Sequence, residues 1–344
     1  MKVHVFSRSS WFEPHRIRQQ MSVLISTAYD VEYHSPDKGS ASSGPYSIDT
    51  NITLRYFRFF EEFASVPFVS IWNAFRLFLY FKRCVRSDDV VINFLPELTI
   101  FPMSPRVKII SVVNDDFASM APRVTSLWLK FLLSRMTSSS YAALYVSIGL
   151  MKKYPCERQL LFYPWSDQKR MEREAHKKTL LYWGYISVAV NLAEFDRIAT
   201  QIEAKSLGLR ILLVGPVDDA VSVLVQDLVA KHECISYHPP AKLEDLDLKD
   251  VLFGVELLDP GFKNSQFVEF PNKAPRLLSY GIPLVHSGCR LLDKPFFIEY
   301  KGNIEDVVSF VRTYSPEINS AIDDYFEENN SAARFMAIDE LIKA

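Results

Sequence analysis

The feature that most constrains the fold of this 344-residue sequence is an alternation of two kinds of segment, which occurs twice. Short β-branched apolar runs alternate with longer segments of helical period, and this pattern predicts parallel sheets covered by helices. A charged stretch at 164–178 (PWSDQKRMEREAHKK), nearly devoid of aliphatic residues, separates the two series. A chain of this length can bury two cores, so we predict an α/β protein of two doubly wound domains.

The predicted elements define the domain bounds. In the first series we predict strands at 2–6, 31–34, 90–93, 108–113, 143–146 and 160–163, and helices at 16–27, 54–86 and 122–135. In the second series we predict strands at 179–183, 210–214, 234–237, 251–253 and 283–286, and helices at 192–206, 219–232, 273–280 and 305–313. The domains are then 1–165 and 179–325, and we expect residues 326–344 to form a helix that packs back on the first domain.

Cysteine usage and the opening residues restrict the setting of the protein. The four cysteines are widely spaced and include no CxxC pair, which predicts reduced thiols without a disulfide framework or a structural zinc site. The first residues (MKVHVFSRSS) lack the apolar core of a signal peptide, so secretion is not expected. We therefore expect a cytoplasmic protein.

Charge divides unevenly between the two halves. Residues 1–165 hold 19 Lys/Arg against 13 Asp/Glu, whereas the remainder holds 20 against 28. This asymmetry predicts an anionic partner for the first half only, unless it is incidental. The chain has no Lys/Arg-dense recognition helix and no RNA-binding signature, so we expect no nucleic-acid partner.

The stretch 52–86 combines many aromatic residues with six basic residues. It is too short and too broken to span a bilayer, but an aromatic and cationic helix pair suits the surface of an anionic leaflet. Residues 123–135 (RVTSLWLKFLLSR) have the same character. The sequence therefore predicts a peripheral contact with the inner face of a membrane, and the alternative is that these helices only cover the sheet.

Four features of the second half follow a fixed order. They are LLYWGYIS (180–187), LRILLVGPVDD (209–219), CISYHPPAKLEDL (234–246) and FPNKAPRLLSYGIPLVHSG (270–288). This order resembles the donor-binding domain of GT-B glycosyltransferases, which typically show P-x-K-x-x-E-Y-x-x-x-G-x-P. Pro271, Lys273 and Gly281 fall on the proline, lysine and glycine of that motif, whereas Arg276 stands where the family has glutamate.

The first half resembles the same family more loosely. The segments concerned are EPHRIRQQMSVL (13–24), SVVNDDFASM (111–120) and the run from YVSIGLMKKY to LLFYPWSD, which is similar to the closing run of the first domain. The second of them resembles a segment of bacterial exopolysaccharide and capsule glycosyltransferases. The resemblance implies two Rossmann-like domains facing a cleft, the first binding the acceptor and the second the nucleotide-sugar.

The resemblance also implies the donor site. Its residues would be Gly184, Tyr185, Gly215, Pro216, His238, Lys273, Arg276 and Glu269. A helix that starts near Lys273 would direct its N–H groups at the diphosphate, and Lys273 and Arg276 would neutralise the charge of the leaving group without a metal. The ribose, which the family glutamate usually binds, would be held by Glu269 or Glu256, or the donor would bind differently, or the chain would be an inactive relative.

For an inverting reaction the acceptor hydroxyl needs a base in the first domain. Asp115 and Asp116 follow an apolar strand, and because adjacent side chains diverge only one can face the cleft; we prefer Asp116 slightly. Glu13 and His15 in the first loop are the second choice. For all four residues the alternative role is a turn or a helix cap.

Together these observations predict a glycosyltransferase that uses a nucleotide-sugar as substrate and needs no cofactor or metal. UDP and GDP donors stay open, the acceptor would be a saccharide or a polyprenyl-linked sugar, and the expected role is surface polysaccharide synthesis. The alternatives are an inactive GT-B-like scaffold and a nucleotide-sugar epimerase of the same fold. A dinucleotide oxidoreductase is not expected, because no GxGxxG follows a predicted strand.

Overall fold

The computed structural model describes residues 1–12, 16–36, 51–60, 66–169, 171, 176–262 and 265–344. The chain divides into two compact units. Unit 1 comprises Met1–Tyr163 together with Ser331–Ala344, and unit 2 comprises Pro164–Asn330.

Unit 1 is built on a parallel sheet of seven strands in the order β3-β2-β1-β4-β5-β6-β7. The strands are β1 (Lys2–Phe6), β2 (Asp30–Pro36), β3 (Ile52–Phe57), β4 (Val90–Asn93), β5 (Lys108–Val113), β6 (Ala142–Tyr145) and β7 (Gln159–Leu161). Every residue of the central strands β4 and β6 is buried, as expected for parallel strands covered on both faces.

Six helices lie beside this sheet in the described part of unit 1. They are α1 (Ile17–Ser26), α2 (Pro67–Cys84), α3 (Phe117–Met120), α4 (Arg123–Ser138), α5 (Ile148–Lys153) and α11 (Ser331–Lys343), and a 3-10 turn covers Pro96–Thr99. Helix α11 joins the unit through Ile338 and Ile342, which are fully buried or nearly so, and through the Lys108 ammonium, which donates to the Ile342 carbonyl at 2.9 Å.

Unit 2 repeats the arrangement with six parallel strands in the order β10-β9-β8-β11-β12-β13. The strands are β8 (Thr179–Trp183), β9 (Arg210–Val214), β10 (Ile235–His238), β11 (Val251–Leu257), β12 (Leu284–Ser287) and β13 (Phe297–Glu299). The helices of its described part are α6 (Leu192–Ala204), α7 (Ser222–Lys231), α8 (Ala274–Ser279), α9 (Ile304–Thr313) and α10 (Ser315–Glu328), and 3-10 turns lie at Asp219–Val221, Leu243–Asp245 and Ser265–Phe267.

The structure corrects the predicted helix at 54–86. Residues 52–57 form the edge strand β3, in which Ile52 and Phe57 are buried while Thr53 and Arg55 are exposed. Helix α2 begins only at Pro67, whose fixed φ and missing N–H suit the first helical position. The helix predicted at 326–344 begins later, at Ser331, because α10 extends to Glu328, and the residues from Ser331 onward belong to unit 1.

Both sheets reverse their strand order at one point, between β1 and β4 in unit 1 and between β8 and β11 in unit 2. Ligands of doubly wound folds bind beyond the carboxyl ends of the strands at this switch point. We call the residues that follow β1, β4 and β5 the unit 1 edge. The unit 2 edge comprises the residues that follow β8, β9 and β10, with Glu256 and the start of α8.

None of the helices in the described ranges has the length and apolar character needed to cross a lipid bilayer. The longest, α2, has 18 residues and carries basic residues in its last turn.

Candidate active site

Two glycines shape the unit 2 edge, each directly after a strand. Gly184 has φ +152° and Gly215 has φ +144°, both in the region that disfavours a side chain. A Cβ on Gly215 would lie 1.9 Å from the carbonyl oxygen of Gly184, so the two loops approach more closely than any other residue allows. The loops that follow β8 and β9 therefore lie against each other and expose backbone without side chains at this edge.

Lys273 supplies a largely buried positive charge at this edge. Its Nζ lies 2.7 Å from Glu256 Oε2 and 3.9 Å from the centre of the Tyr182 ring, and only 13% of the lysine side chain is exposed. Burial disfavours the ammonium form, but the nearby Glu256 carboxylate outweighs this and raises the pKa of Lys273. A Cβ on Gly184 would lie 3.7 Å from this Nζ, so the glycine leaves the charge approachable.

Helix α8 corrects one part of the predicted phosphate site. It spans only six residues, and Pro275 in its first turn has no N–H to offer. The expected row of helix N–H groups is therefore much reduced. The cationic side chain of Lys273, which is the N-cap residue, is the feature that the structure places at this edge.

Arg276 lies against a different partner from Lys273. Its guanidinium carbon is 5.6 Å from the centre of the Trp183 ring, and the Trp183 indole N–H donates to the Ala241 carbonyl at 2.9 Å. Lys273 and Arg276 therefore have different contacts, and their expected joint action is not seen. Their partners are nevertheless close in the chain, because Trp183 precedes Gly184. Arg276 can still present a cation beside an aromatic face at the end of β8.

The other predicted donor residues take part in the backbone of the edge. The Tyr182 hydroxyl donates to the Tyr185 carbonyl at 2.8 Å, and the exposed Tyr185 hydroxyl donates to Asp218 at 2.9 Å. The Pro216 carbonyl accepts from Ile186 N–H at 2.9 Å.

His238 and Glu269 lie at the margins of this edge. His238 is exposed, its carbonyl accepts from Gly215 N–H at 3.3 Å, and its Nδ1 lies 2.7 Å from the Pro239 carbonyl. Glu269 is half-buried and its carbonyl accepts from Leu292 N–H at 3.0 Å. Glu256, the other carboxylate considered for the ribose, is paired with Lys273.

In unit 1 the structure reverses the preference between the two aspartates. Asp116 is fully buried, accepts from the Tyr154 hydroxyl at 2.7 Å and forms an ion pair with Lys153. Burial acts to raise its pKa, but the hydrogen bonds from Lys153 and Tyr154 outweigh that effect and hold the pKa below its usual value. Asp116 is therefore a weak base that fixes the loop to α5.

Asp115 has the properties expected of a base. Burial raises its pKa to about 6, although Arg18 and Arg16 act in the opposite direction. A carboxylate with this pKa can accept a proton near neutral pH more readily than an ordinary aspartate. Its Oδ2 accepts from the Asn114 amide at 2.6 Å, which holds the carboxylate in place at the end of β5.

The unit 1 edge also holds an ion pair that the sequence analysis missed. Arg8, after β1, pairs with Glu97, after β4, and the Glu97 side chain is fully buried. Among the described residues, Glu97 Oε2 and Arg8 Nε have no hydrogen-bond partner. Arg8 lies two residues after β1 and Glu97 four residues after β4, beside the switch point, and this placement is the signal that could have identified them.

The loop after β1 is fixed by neighbours of the same edge. Ser9 accepts at its carbonyl from the Tyr33 hydroxyl at 2.9 Å and at its hydroxyl from Arg18, while the Ser10 carbonyl accepts from Gln19 at 2.9 Å. Glu13 and His15, the second choice for the base, lie outside the described residues.

The fold of the chain is that of the GT-B glycosyltransferases. A sucrose-phosphate synthase from Thermosynechococcus elongatus matches 99% of this chain and 98% of its own with a TM-score of 0.70 at 10% identity. HepE from Anabaena, solved with UDP and glucose, matches 100% of both chains with a TM-score of 0.70 at 10% identity.

AviGT4, a glycosyltransferase of avilamycin A biosynthesis, matches 99% of this chain and 97% of its own with a TM-score of 0.61 at 14% identity. No protein-family model matches the sequence, and no curated protein matches it. At these identities the likeness establishes the fold, and the predicted GT-B architecture is confirmed.

Proposed function

We propose that this protein is a glycosyltransferase that moves a sugar from a nucleotide-sugar donor to a saccharide or lipid-linked acceptor. The observation that carries the proposal is the Lys273 ammonium, held by Glu256 beside the bare loops of Gly184 and Gly215 at the switch point of unit 2. A cation at this position of a GT-B fold meets the chemical need of a diphosphate leaving group.

Unit 2 would bind the donor. As the bond from the sugar to the diphosphate breaks, negative charge develops on the phosphate oxygens, and Lys273 would donate to them with the N–H groups that Glu256 leaves available. The ion pair keeps the lysine charged and fixed before the donor arrives, so little reorganisation is needed. A metal would then be dispensable in the transfer step.

The donor is proposed to be a UDP-sugar, with a hexose as the group transferred. Support comes from HepE, which has been solved with UDP, with UDP and glucose, and with UDP-glucose. GDP is the alternative nucleotide. Glu269 would bind the ribose hydroxyls in place of the glutamate that Arg276 replaces.

Unit 1 would bind the acceptor. For an inverting displacement, Asp115 would accept the proton of the attacking hydroxyl, because burial gives it a pKa near 6. The unpartnered Glu97 Oε2 could accept a hydrogen bond from a second acceptor hydroxyl, and Arg8 Nε could donate to an acceptor oxygen.

A thermal-shift titration with UDP and GDP tests the donor site. We expect one nucleotide to raise the Tm, because a ligand that binds only the folded state stabilises it by about 2.7 kcal/mol at 100 times its Kd. In Lys273→Met, at least ten times more nucleotide should be needed for the same rise in Tm. Lys301→Met is the matched control, since Lys301 pairs with Glu299 at the surface with 80% of its side chain exposed.

A coupled assay for released nucleoside diphosphate distinguishes the three readings. Release that depends on an added saccharide or lipid-linked acceptor supports transfer. Conversion of the sugar without release would support an epimerase. Nucleotide binding with neither reaction would support an inactive scaffold, the reading that the arginine at 276 favours.

We further propose that unit 1 lies on an anionic membrane surface during synthesis of surface polysaccharide, on the cytoplasmic side. Helix α2 has one buried face and one exposed apolar stripe at helical spacing, in which Phe68 is 81% and Trp72 is 48% exposed. Helix α4 adds Leu127 at 72% exposure. The stripe comprises Phe68, Ile71, Trp72, Phe75 and Leu79 of α2 with Leu127 and Phe131 of α4.

Charge and packing support this partner. Both helices pack on the segment around Phe101, which contacts Phe75 and Phe78 of α2, while Arg135 of α4 donates to the Thr99 carbonyl at 3.0 Å. The two helices therefore share one surface, and the exposed Lys82, Arg83 and Lys130 supply cations, each worth about 1 kcal/mol near an anionic leaflet.

Flotation with liposomes tests the membrane proposal. We expect binding to vesicles that contain anionic lipid and little binding to neutral vesicles, with loss in Phe68→Glu/Trp72→Glu and a decrease in Arg83→Glu. Val223→Glu/Leu224→Glu on α7 is the matched control, because these apolar residues are 64% and 55% exposed but belong to unit 2. Absence of binding to anionic vesicles would exclude the proposal and leave the two helices as cover for the sheet.

A further inference from the structure

Unit 1 contains a buried group of polar side chains that the proposed reaction does not use. His4 lies in β1, and Glu32 and His34 lie in β2; all three are buried, and the two histidines are fully so. The strand register pairs His4 with Glu32 and Phe6 with His34. Because alternate residues of a strand face the same side, the three side chains converge on one face of the sheet.

The spacing of their polar atoms fits a metal ion. His4 Nδ1 lies 3.0 Å from His34 Nε2, and Glu32 Oε2 lies 3.7 Å and 3.9 Å from these two nitrogens. Ligand atoms about 2.0–2.2 Å from a tetrahedral ion would be roughly 3.3 Å apart. Small movements of side chains would therefore place the three atoms around one ion.

Each of the three residues is oriented by a further group. His4 Nε2 lies 3.2 Å from Asp89 Oδ2, His34 Nδ1 lies 2.9 Å from the Tyr80 hydroxyl, and Glu32 Oε1 accepts from Lys2 at 2.6 Å. A carboxylate on the outer nitrogen of a histidine is the usual support of a metal ligand, because it fixes the ring and its tautomer. Arg55, whose Nε is 3.5 Å from Glu32 Oε2, also faces the cluster and is the one described cation that would have to yield.

We propose that His4, His34 and Glu32 bind one zinc ion that ties β1 to β2. Two imidazoles and a carboxylate are ligands that zinc favours, and a water molecule would take the fourth tetrahedral position. The supporting residues Lys2 and Asp89 lie at the amino ends of β1 and β4, whereas the candidate active site lies at the carboxyl ends. This proposal departs from the expectation of no structural zinc, which rested on the absence of CxxC and of Cys/His zinc spacing in the sequence.

The alternative is a hydrogen-bonded chain without metal. In that chain the Tyr80 hydroxyl would donate to His34, His34 to His4, and His4 to Asp89, so that every ring nitrogen has a partner. The two arrangements use the same atoms but predict different metal contents.

Elemental analysis of the full-length, untagged protein, purified from zinc-supplemented cells and dialysed, tests the proposal. We expect about one zinc ion per chain and a decrease of at least tenfold in His34→Gln. The matched control is His232→Gln, because His232 is also a buried histidine and lies 2.7 Å and 2.8 Å from the Asp196 and Glu203 carboxylates in unit 2. The control should retain its zinc.

A measurement on the unmodified protein keeps the proposal testable if His34→Gln does not fold. Zinc is removed with a chelator and added back, and we expect the Tm to fall and to recover. Cobalt added in its place should give the visible absorption of a low-coordinate site. Folded protein with less than about a tenth of an equivalent of zinc, and no change of Tm on adding zinc, would overturn the proposal in favour of the hydrogen-bonded chain. Equal loss of zinc from the His232 control would do the same.

Discussion

The unit 1 edge and the unit 2 edge share a strand order but differ in their chemistry. In unit 2 the ion pair at the switch point is largely buried on both sides, with 13% of Lys273 and 8% of Glu256 exposed. In unit 1 the Arg8 side chain is 42% exposed, whereas Glu97 is fully buried and keeps an unpartnered oxygen among the described residues. One edge thus presents a fixed cation among glycines, and the other presents carboxylates.

The difference shows that the strand order fixes where a site can lie, whereas the residues that follow each strand determine its chemistry. The first half of the chain carries the excess of basic residues, yet the cation best placed for a diphosphate is in the acidic second half. Net charge therefore does not identify the proposed donor site. A single desolvated lysine matters more there than many exposed ones, because burial strengthens its interaction with a bound anion.

The largest effect is expected from the aspartates of the unit 1 edge. Asp115→Asn should lower kcat by about 10²–10⁴-fold, because a general base is lost, and should not lower the Tm, because a desolvated charge is removed. Asp116→Asn should instead cost on the order of 3 kcal/mol of unfolding free energy, because Lys153 loses its buried partner. Steady-state kinetics and thermal unfolding of both variants measure the contrast.

The pH profile sharpens the same contrast. Since Asp115 must be ionised to act, kcat/KM should fall as the pH decreases through about 6 and should be level above it. Asp116 has a lowered pKa, so its contribution to stability is present above the usual aspartate value and is lost only as the pH falls through the lower value of the folded state. A flat profile between pH 5 and 7 would remove Asp115 as the base.

A smaller effect is expected from the glycines of the unit 2 edge. Gly215→Ala should cost about 3–5 kcal/mol of unfolding free energy, because the new Cβ would meet the Gly184 carbonyl and the positive φ would be strained. Gly208→Ala also has a positive φ but meets no atom within 4 Å, so it should cost only about 1–2 kcal/mol. Equal costs in chemical denaturation would mean that close approach of the two loops contributes nothing.

The smallest effect is expected from the unpartnered carboxylate oxygen of the unit 1 edge. Glu97→Gln should raise the acceptor KM by about tenfold, roughly the worth of one hydrogen bond to a charged group, and should leave the donor KM unchanged. Initial rates with either substrate varied give both constants. A change in the donor KM instead would show that the Arg8–Glu97 pair acts on the donor, and would contradict its proposed role in acceptor binding.

The central strands and most helices were predictable because burial imposes a regular pattern on them. The strands at the sides of the two sheets were less predictable. The sequence at 54–57 predicts helix because its aromatic and arginine residues resemble those of α2, whereas in the structure they belong to strand β3. Strand β13 has three residues, too few for a period to be visible.

The candidate site was predictable where a motif fixed the position and not where orientation decided the role. Lys273 was located by its spacing from Gly281, but its partner Glu256 lies on β11 and was considered only for the ribose. The order of Asp115 and Asp116 depends on which side chain turns towards Lys153 and Tyr154, and a sequence does not show this. Arg8 and Glu97 are far apart in the chain and meet only when β1 pairs with β4.

The return of the chain into unit 1 at Ser331 sets the order in which the protein can be completed during translation. Unit 2 is one continuous segment, so it can finish folding while the last helix is still inside the ribosome. Unit 1 must wait, because α11 supplies Ile338, Ile342 and the Asp339 carboxylate that accepts from Tyr29. The strands of unit 1 are synthesised first, but unit 1 is completed only after α11 has been synthesised.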